Sequence, residues 1–317
     1  MIAVRLLAIG IALLFATGVG GAEPSLLESR GPVTRHTLWK IEGSRSPVYL
    51  LGSIHVLRRQ NYPLERPLED AFDEARIVAF EIDLDQARAM LTPPTSPTPA
   101  AGTQPTPKPK PGRPAPGALP AARSLKTELA AATHQSMVRY LEEMGLPGTI
   151  LDPLPPSLAA ALLIQLQLHQ MGFEPEWGVD AYFYRRAKKY GKTIVPLETV
   201  GEQLQAFGSL TDRGSDSLIQ ATLENVTTMR TMLRDLIRAW KGGELAQLET
   251  LVNGSFRDRP DIYQPMIVDR NLHWMPKIEA LAEGDVPAIV IVGTGHLVGA
   301  DGIVAMLRTK GYTVVQQ

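Results

Sequence analysis

Residues 48–56 read VYLLGSIHV, and residues 288–298 read AIVIVGTGHLV. Each is an apolar run of strand character that stops on glycine and delivers a histidine three positions later. The two units are Gly52-Ser53-Ile54-His55 and Gly293-Thr294-Gly295-His296. A buried strand that ends in this way sets an imidazole at the carboxyl edge of a sheet, where open α/β sheets collect ligands and chemistry. Glycine before each histidine lets the backbone turn sharply and lets a ligand approach closely. The units lie near opposite ends of the chain, so the imidazoles share a site only if the first and last strands are close together.

Further strands are expected at Thr37–Glu42, Val48–Ser53, Ile77–Ile82, Thr193–Leu197, Ala288–Val292 and Tyr312–Val315. Each is rich in β-branched, aliphatic or aromatic residues and is bounded by turn formers. Gly43 and Pro47 suit a turn that joins the first two as a hairpin. Helical patterns occupy Leu68–Ala75, Met137–Met144, Leu158–Met171, Gly178–Tyr190, Ser217–Trp240, Glu244–Val252, Ile262–Ala282 and Gly302–Thr309. Helix dominates the middle and strands hold the ends. The pattern predicts an α/β fold: a mixed central sheet built from N- and C-terminal strands, with a helical layer or subdomain inserted between.

Met1–Ala22 carries one early arginine, an apolar stretch from Leu6 to Ala16 and a small-residue end. That is the plan of a secretory signal peptide, too short for a transmembrane span of roughly 20 apolar residues. The chain has no cysteine, which excludes a lipoprotein anchor, a disulfide framework, cysteine zinc sites and a cysteine nucleophile. A periplasmic or secreted protein without an integral membrane span after signal cleavage is therefore expected. A net charge of −1 supplies no electrostatic footprint for nucleic acid. Residues 92–120 hold eleven prolines, no aromatic residue and only positive charges. Such a tract cannot offset its ordering entropy by burial, and reads as a disordered insertion within a single domain spanning 23–317.

Two more ionisable groups stand where strands end. Ile77-Val78-Ala79-Phe80 runs into Glu81, and Thr193-Ile194-Val195-Pro196-Leu197 runs into Glu198. Imidazoles beside carboxylates suit either divalent-metal ligation or general acid–base work. Arg270, within the Ile262–Ala282 helix, could pair with an inward carboxylate or hold an anionic group. His134, His169 and His273 lie in helical contexts without neighbouring acids at ligand spacing, His36 precedes the first strand, and all four read as structural or surface residues. No His-Glu-x-x-His helix and no Gly-x-Ser-x-Gly elbow occurs. The second glycine-rich turn imitates a dinucleotide loop. The strand that follows it ends Val315-Gln316-Gln317, without the acid that a Rossmann unit places there.

Taken with Leu38-Trp39-Lys40, Phe80-Glu81-Ile82-Asp83, Gly178-Val179-Asp180, Pro196-Leu197-Glu198-Thr199 and Asp269-Arg270-Asn271, the paired Gly-x-x-His units resemble the TraB/GumN family, which includes the TIKI metalloproteases. The resemblance covers nearly all of the chain after the signal peptide and implies a core related to erythromycin esterases and to a haem-binding lipoprotein group. It also implies a manganese- or cobalt-dependent peptidase centre, with zinc as a further candidate ion. His55 and His296 would be ligands, Glu81 a ligand or general base, and Arg270 a residue that positions a carboxylate or substrate; from its strand-end position Glu198 is added as a further carboxylate ligand. The expectation is an exported metal-dependent hydrolase acting on a peptide or small molecule. Two alternatives stay open: a haem- or metal-binding protein without turnover, and a metal-independent, esterase-like hydrolase.

Overall fold

Val48–Ser53 (β2) pairs in parallel with Ala288–Gly293 (β5), with Ser53 opposite Gly293, so the two histidine-bearing units end side by side. In this computed structural model residues 35–91, 124–208, 215–224, 226–254 and 260–317 are described. The expected signal peptide and the proline-rich tract lie outside them. The other strands are Leu38–Glu42 (β1), Ile77–Phe80 (β3), Thr193–Pro196 (β4) and Thr313–Gln316 (β6), in the order β4-β3-β5-β2-β1-β6. β1 runs antiparallel to both β2 and β6, while β4, β3, β5 and β2 run parallel. The sheet is thus mixed and assembled from both ends of the chain, as the sequence predicts.

Every residue of β5 is buried. Its uninterrupted AIVIVG run is what a central parallel strand, covered on both faces, requires. Gly43 turns the β1–β2 hairpin with φ +78, a left-handed conformation that favours glycine. The longer helices are α1 (Arg66–Glu74), α2 (Leu84–Leu91), α3 (Ala131–Glu143), α4 (Pro156–Gln170), α5 (Val179–Lys189), α6 (Val200–Gly208), α7 (Ser215–Glu224), α8 (Val226–Lys241), α9 (Leu245–Val252), α10 (Asp269–Glu283) and α11 (Ile303–Thr309). α1 and α5 close one part of the main core, with Phe72 stacked on Phe183 at 4.7 Å. A second apolar cluster joins Met137 and Leu141 of α3, Leu163 and Ile164 of α4, Ile219 of α7 and Leu233 of α8. Inside it the Gln167 amide donates to the Thr222 carbonyl at 2.9 Å. Among the described residues no helix is long and apolar enough to cross a membrane.

Within the helix expected over Ser217–Trp240, the described residues are helical at Ser215–Glu224 (α7) and Val226–Lys241 (α8). The helix expected over Ile262–Ala282 begins as the short Pro260–Tyr263 turn and widens to a π-helical stretch, Gln264–Val268, before α10. Pro265 within that stretch has no N–H to donate to the preceding turn. Two helices have polar signals that the apolar pattern hides. α2 starts under Asp83, whose Oδ1 accepts the N–H groups of Asp85 (2.9 Å) and Gln86 (3.2 Å). α6 opens on a capping box: the Glu202 N–H donates to Thr199 Oγ1 at 3.2 Å, and the Thr199 N–H donates to the Glu202 carboxylate at 2.7 Å.

Candidate functional site

The four parallel strands end on one edge, and each hands over an ionisable residue just beyond. His55 follows β2, Glu81 follows β3, Glu198 follows β4, and His296 closes a 3-10 turn, Thr294–His296, after β5. The ladder runs one step past β3 and β4, since the Glu198 N–H donates to the Glu81 carbonyl at 2.9 Å and so keeps the two acids adjacent. α10 supplies Arg270 from above. All five side chains are buried, and Arg270, at 7%, is the most exposed of them. The structure therefore brings together every site residue expected from the sequence.

Arg270 links the group. Its Nη2 donates to Glu81 Oε2 and to Glu198 Oε1, both at 2.6 Å, and its Nε donates to Glu198 at 3.0 and 3.1 Å. Nη1 donates to the Met266 carbonyl at 3.2 Å and to His296 Nε2 at 3.1 Å. The guanidinium also lies 4.7 Å from the Trp274 ring. The π-helical stretch ends at Val268, two residues before Arg270, and its Met266 carbonyl holds one end of the fork. Such wide turns commonly occur at functional sites.

The two carboxylates respond differently to this cation. Burial disfavours the Glu81 anion, but Arg270, then both histidines and the Gly293 N–H at 2.7 Å, overcome that cost and hold its pKa down at about 2. At Glu198 burial wins over the Arg270 contacts, and the neighbouring Glu81 adds to the same direction, so its pKa is raised. The hydrogen bonds to Glu198 come from Arg270, from Trp274 Nε1 at 3.2 Å and from Gln203 Nε2 at 3.3 Å. Gln203 Nε2 also donates to Glu81 at 3.3 Å. Glu198 thus anchors the arginine and makes no contact of this kind with either imidazole.

The histidines are held from behind. His55 Nδ1 lies 2.9 Å from Asp180 Oδ1, in the first turn of α5. That helix docks on the first histidine unit through the Val179 N–H, which donates to the Ile54 carbonyl at 3.0 Å. Gly178 makes the approach possible, because a Cβ there would lie 2.3 Å from the His55 carbonyl oxygen. His296 Nδ1 lies 2.7 Å from Asn271 Oδ1. The Asn271 amide in turn donates to the Asp301 carbonyl at 2.8 Å and the His296 carbonyl at 3.3 Å, which orients its oxygen toward the ring. Because Arg270 can only donate, His296 is a neutral imidazole with its proton on Nδ1 and its Nε2 accepting. Burial first, then Arg270, lowers its pKa to about 3. At His55 burial also lowers the pKa, but Asp180 and then Glu81 outweigh it, and the net shift is upward.

Asp180, Asn271, Gln203 and Trp274 are partners that strand-end reasoning overlooks. Asp180 and Asn271 stand within the Gly178-Val179-Asp180 and Asp269-Arg270-Asn271 matches, which was the available signal. The four remaining histidines lie elsewhere, each beside a carboxylate: Glu65 for His36, Asp152 for His134, Glu174 for His169 and Glu202 for His273. His134, for example, meets Asp152 at 2.8 Å, and His36 meets Glu65 at 2.8 Å. Acids that the sequence does not place at ligand spacing therefore do stand beside these histidines in space.

A family model described as the TraB/PrgY/gumN family matches residues 37–316. The chain belongs to this family. The match runs from the edge of β1 to the end of β6, so it spans the whole sheet and all five site residues. No curated protein and no solved structure matches the chain.

The resemblance read from the sequence motifs implies a metal ion, and the donor set can be tested for one. His55 Nε2 and His296 Nε2 lie 3.9 and 4.0 Å from the same oxygen, Glu81 Oε1. Both rings have Nδ1 tied to an oxygen behind them, the arrangement that orients metal-ligating histidines. Gly293 leaves the space open, since a Cβ there would come within 3.1 Å of His55 Nε2 and 3.2 Å of Glu81 Oε1. In donor type, two imidazole nitrogens and a carboxylate, the set suits a divalent cation. Among the described residues no group of three or more such side chains is already arranged to hold one, and the Arg270 N–H occupies the His296 lone pair.

Proposed function

We propose that this TraB/PrgY/gumN protein is an exported, metal-dependent hydrolase, most specifically a peptidase, working at the His55–Glu81–His296 centre. The observation that carries the reading is the convergence of two back-supported imidazole nitrogens on one oxygen of an ionised glutamate. His55, His296 and Glu81 would hold manganese, cobalt or zinc. Such an ion lowers the pKa of water and polarises a carbonyl. Asp180 and Asn271 keep each Nε2 turned to the centre. Arg270 keeps Glu81 ionised, and Glu198 fixes the other edge of the guanidinium. The signal-peptide pattern at Met1–Ala22 supports export.

A second reading has its own support in the Arg270 bond to His296 Nε2. With that nitrogen engaged, His55 backed by Asp180 is the group suited to move a proton without a metal. Elemental analysis of the mature protein, beside His55→Ala and His296→Ala, tests the first reading. We expect a stoichiometric divalent ion, lost in both variants while circular dichroism stays unchanged. Full occupancy in both variants overturns it. Peptide hydrolysis that survives exhaustive chelation supports the second reading in its place.

A further inference from the structure

Arg270 holds two of the three groups read above as ligands. Its Nη1 donates to His296 Nε2 at 3.1 Å, and its Nη2 donates to Glu81 Oε2 at 2.6 Å. The guanidinium has donors only, so the His296 bond uses the one lone pair that this imidazole can give. A lone pair engaged in that way is not available to a metal ion. Ion binding at His296 and the Arg270–His296 hydrogen bond therefore exclude one another. The guanidinium also sets a permanent positive charge against the glutamate that a cation would use.

The contacts of Arg270 differ in what keeps them in place. Toward Glu198 it makes a fork, with Nε at 3.0 and 3.1 Å and Nη2 at 2.6 Å. Glu198 is held independently by Trp274 Nε1 at 3.2 Å and by Gln203 Nε2 at 3.3 Å. Nη1 has a second acceptor in the Met266 carbonyl at 3.2 Å. Arg270 can thus let go of His296 and keep both an anchor on Glu198 and a partner for Nη1. It is also needed where it stands. Glu81 and Glu198 are both buried, and a buried carboxylate without a cation is strongly destabilising.

We propose that Arg270 is a built-in competitor of the metal ion. It caps His296 and neutralises Glu81 until a divalent cation takes their lone pairs, and then withdraws onto Glu198 and the Met266 carbonyl. This role rests on the metal reading of the centre and adds a regulation to it. The apparent affinity for the ion is the intrinsic affinity reduced by the fraction of molecules in which His296 is free. Arg270 therefore sets how much free ion is needed to load the site.

The test is isothermal titration of the full chain with zinc, cobalt and manganese, each alone, beside the same titrations of Arg270→Gln. The variant should bind the ion at least about 10-fold more tightly, a coupling of ordinary size. Equal or weaker binding by the folded variant overturns the competitor and leaves the metal reading intact. Failure of both proteins to bind any of the three ions overturns the metal reading and the competitor with it. Crystals of the unaltered protein grown with the ion it binds give a second measurement that needs no variant. Nη1 should lie beyond hydrogen-bond reach of His296 Nε2 while the Nε and Nη2 contacts with Glu198 persist. An ion held at the centre with Nη1 still on His296, or with Arg270 detached from Glu198, overturns the competitor.

Discussion

His55 and His296 end the same strand–Gly-x-x-His unit on adjacent parallel strands, and each faces one oxygen of Glu81 at nearly the same distance. Their protons nevertheless respond in opposite directions. An aspartate backs His55, and its pKa is raised; an amide backs His296, an arginine caps it, and its pKa falls to about 3. Burial acts on both rings in the same sense, so the difference comes from the partners alone. Like local geometry thus yields two electrostatic roles: one imidazole that readily takes a proton, and one kept as a lone-pair donor.

The largest break in this comparison is expected from Arg270→Leu. It frees His296 Nε2 and leaves Glu81 and Glu198 buried without their cation, at a cost of about 3–5 kcal/mol in urea unfolding. A variant as stable as the parent would show that Arg270 does not hold the two acids. Next comes Asn271→Asp, which gives His296 the kind of partner that His55 has. Two backbone carbonyls lose their donor, costing about 1–3 kcal/mol. NMR titration of the histidine ring signals should show the His296 pKa rising well above 3. A midpoint left near that value would mean that Arg270 alone sets it.

The reciprocal change, Asp180→Asn, removes the carboxylate behind His55 and lowers its pKa, by the same measurement. If both histidines serve a metal, this change also weakens affinity about 10–100-fold, which a chelator competition would read.

The smallest effect is in the pH dependence of stability of the metal-free protein. His296 has a folded pKa below its ordinary 6.5, so its contribution is full above 6.5 and is lost as pH falls toward about 3. His55 has a raised pKa, so its contribution is present below 6.5 and is lost as pH rises through the folded value. Urea midpoints of His296→Asn should therefore flatten the acid limb, and those of His55→Asn the alkaline limb. Identical profiles for the two variants would erase the distinction.

Much of the architecture is legible in the chain because it rests on short-range patterns. The apolar runs of β2 and β5 match the expected strands almost to the residue, since burial on both faces demands continuous aliphatic sequence. α2 and α6 are harder to see because their starts rest on polar capping by Asp83 and Thr199 rather than on an apolar stripe. The wide turn before Arg270 is harder still, as it replaces one helical hydrogen-bond pattern with another inside a continuous apolar periodicity.

By itself the sequence determined which residues stand at strand ends: His55, Glu81, Glu198 and His296 each follow a run that can only be a buried strand. It also set the condition that the two histidines share a site only if the first and last strands are close together, and Arg270 was visible as a charge on a predicted helix. Only the tertiary structure decided what each group is bonded to. Asp180 reaches His55, Asn271 reaches His296 and Arg270 spans both glutamates because helices from distant parts of the chain dock on the sheet edge. Strand periodicity is a local property of the backbone. A buried group's proton affinity depends on charges within a few ångströms, and those are brought there by contacts that no local pattern encodes.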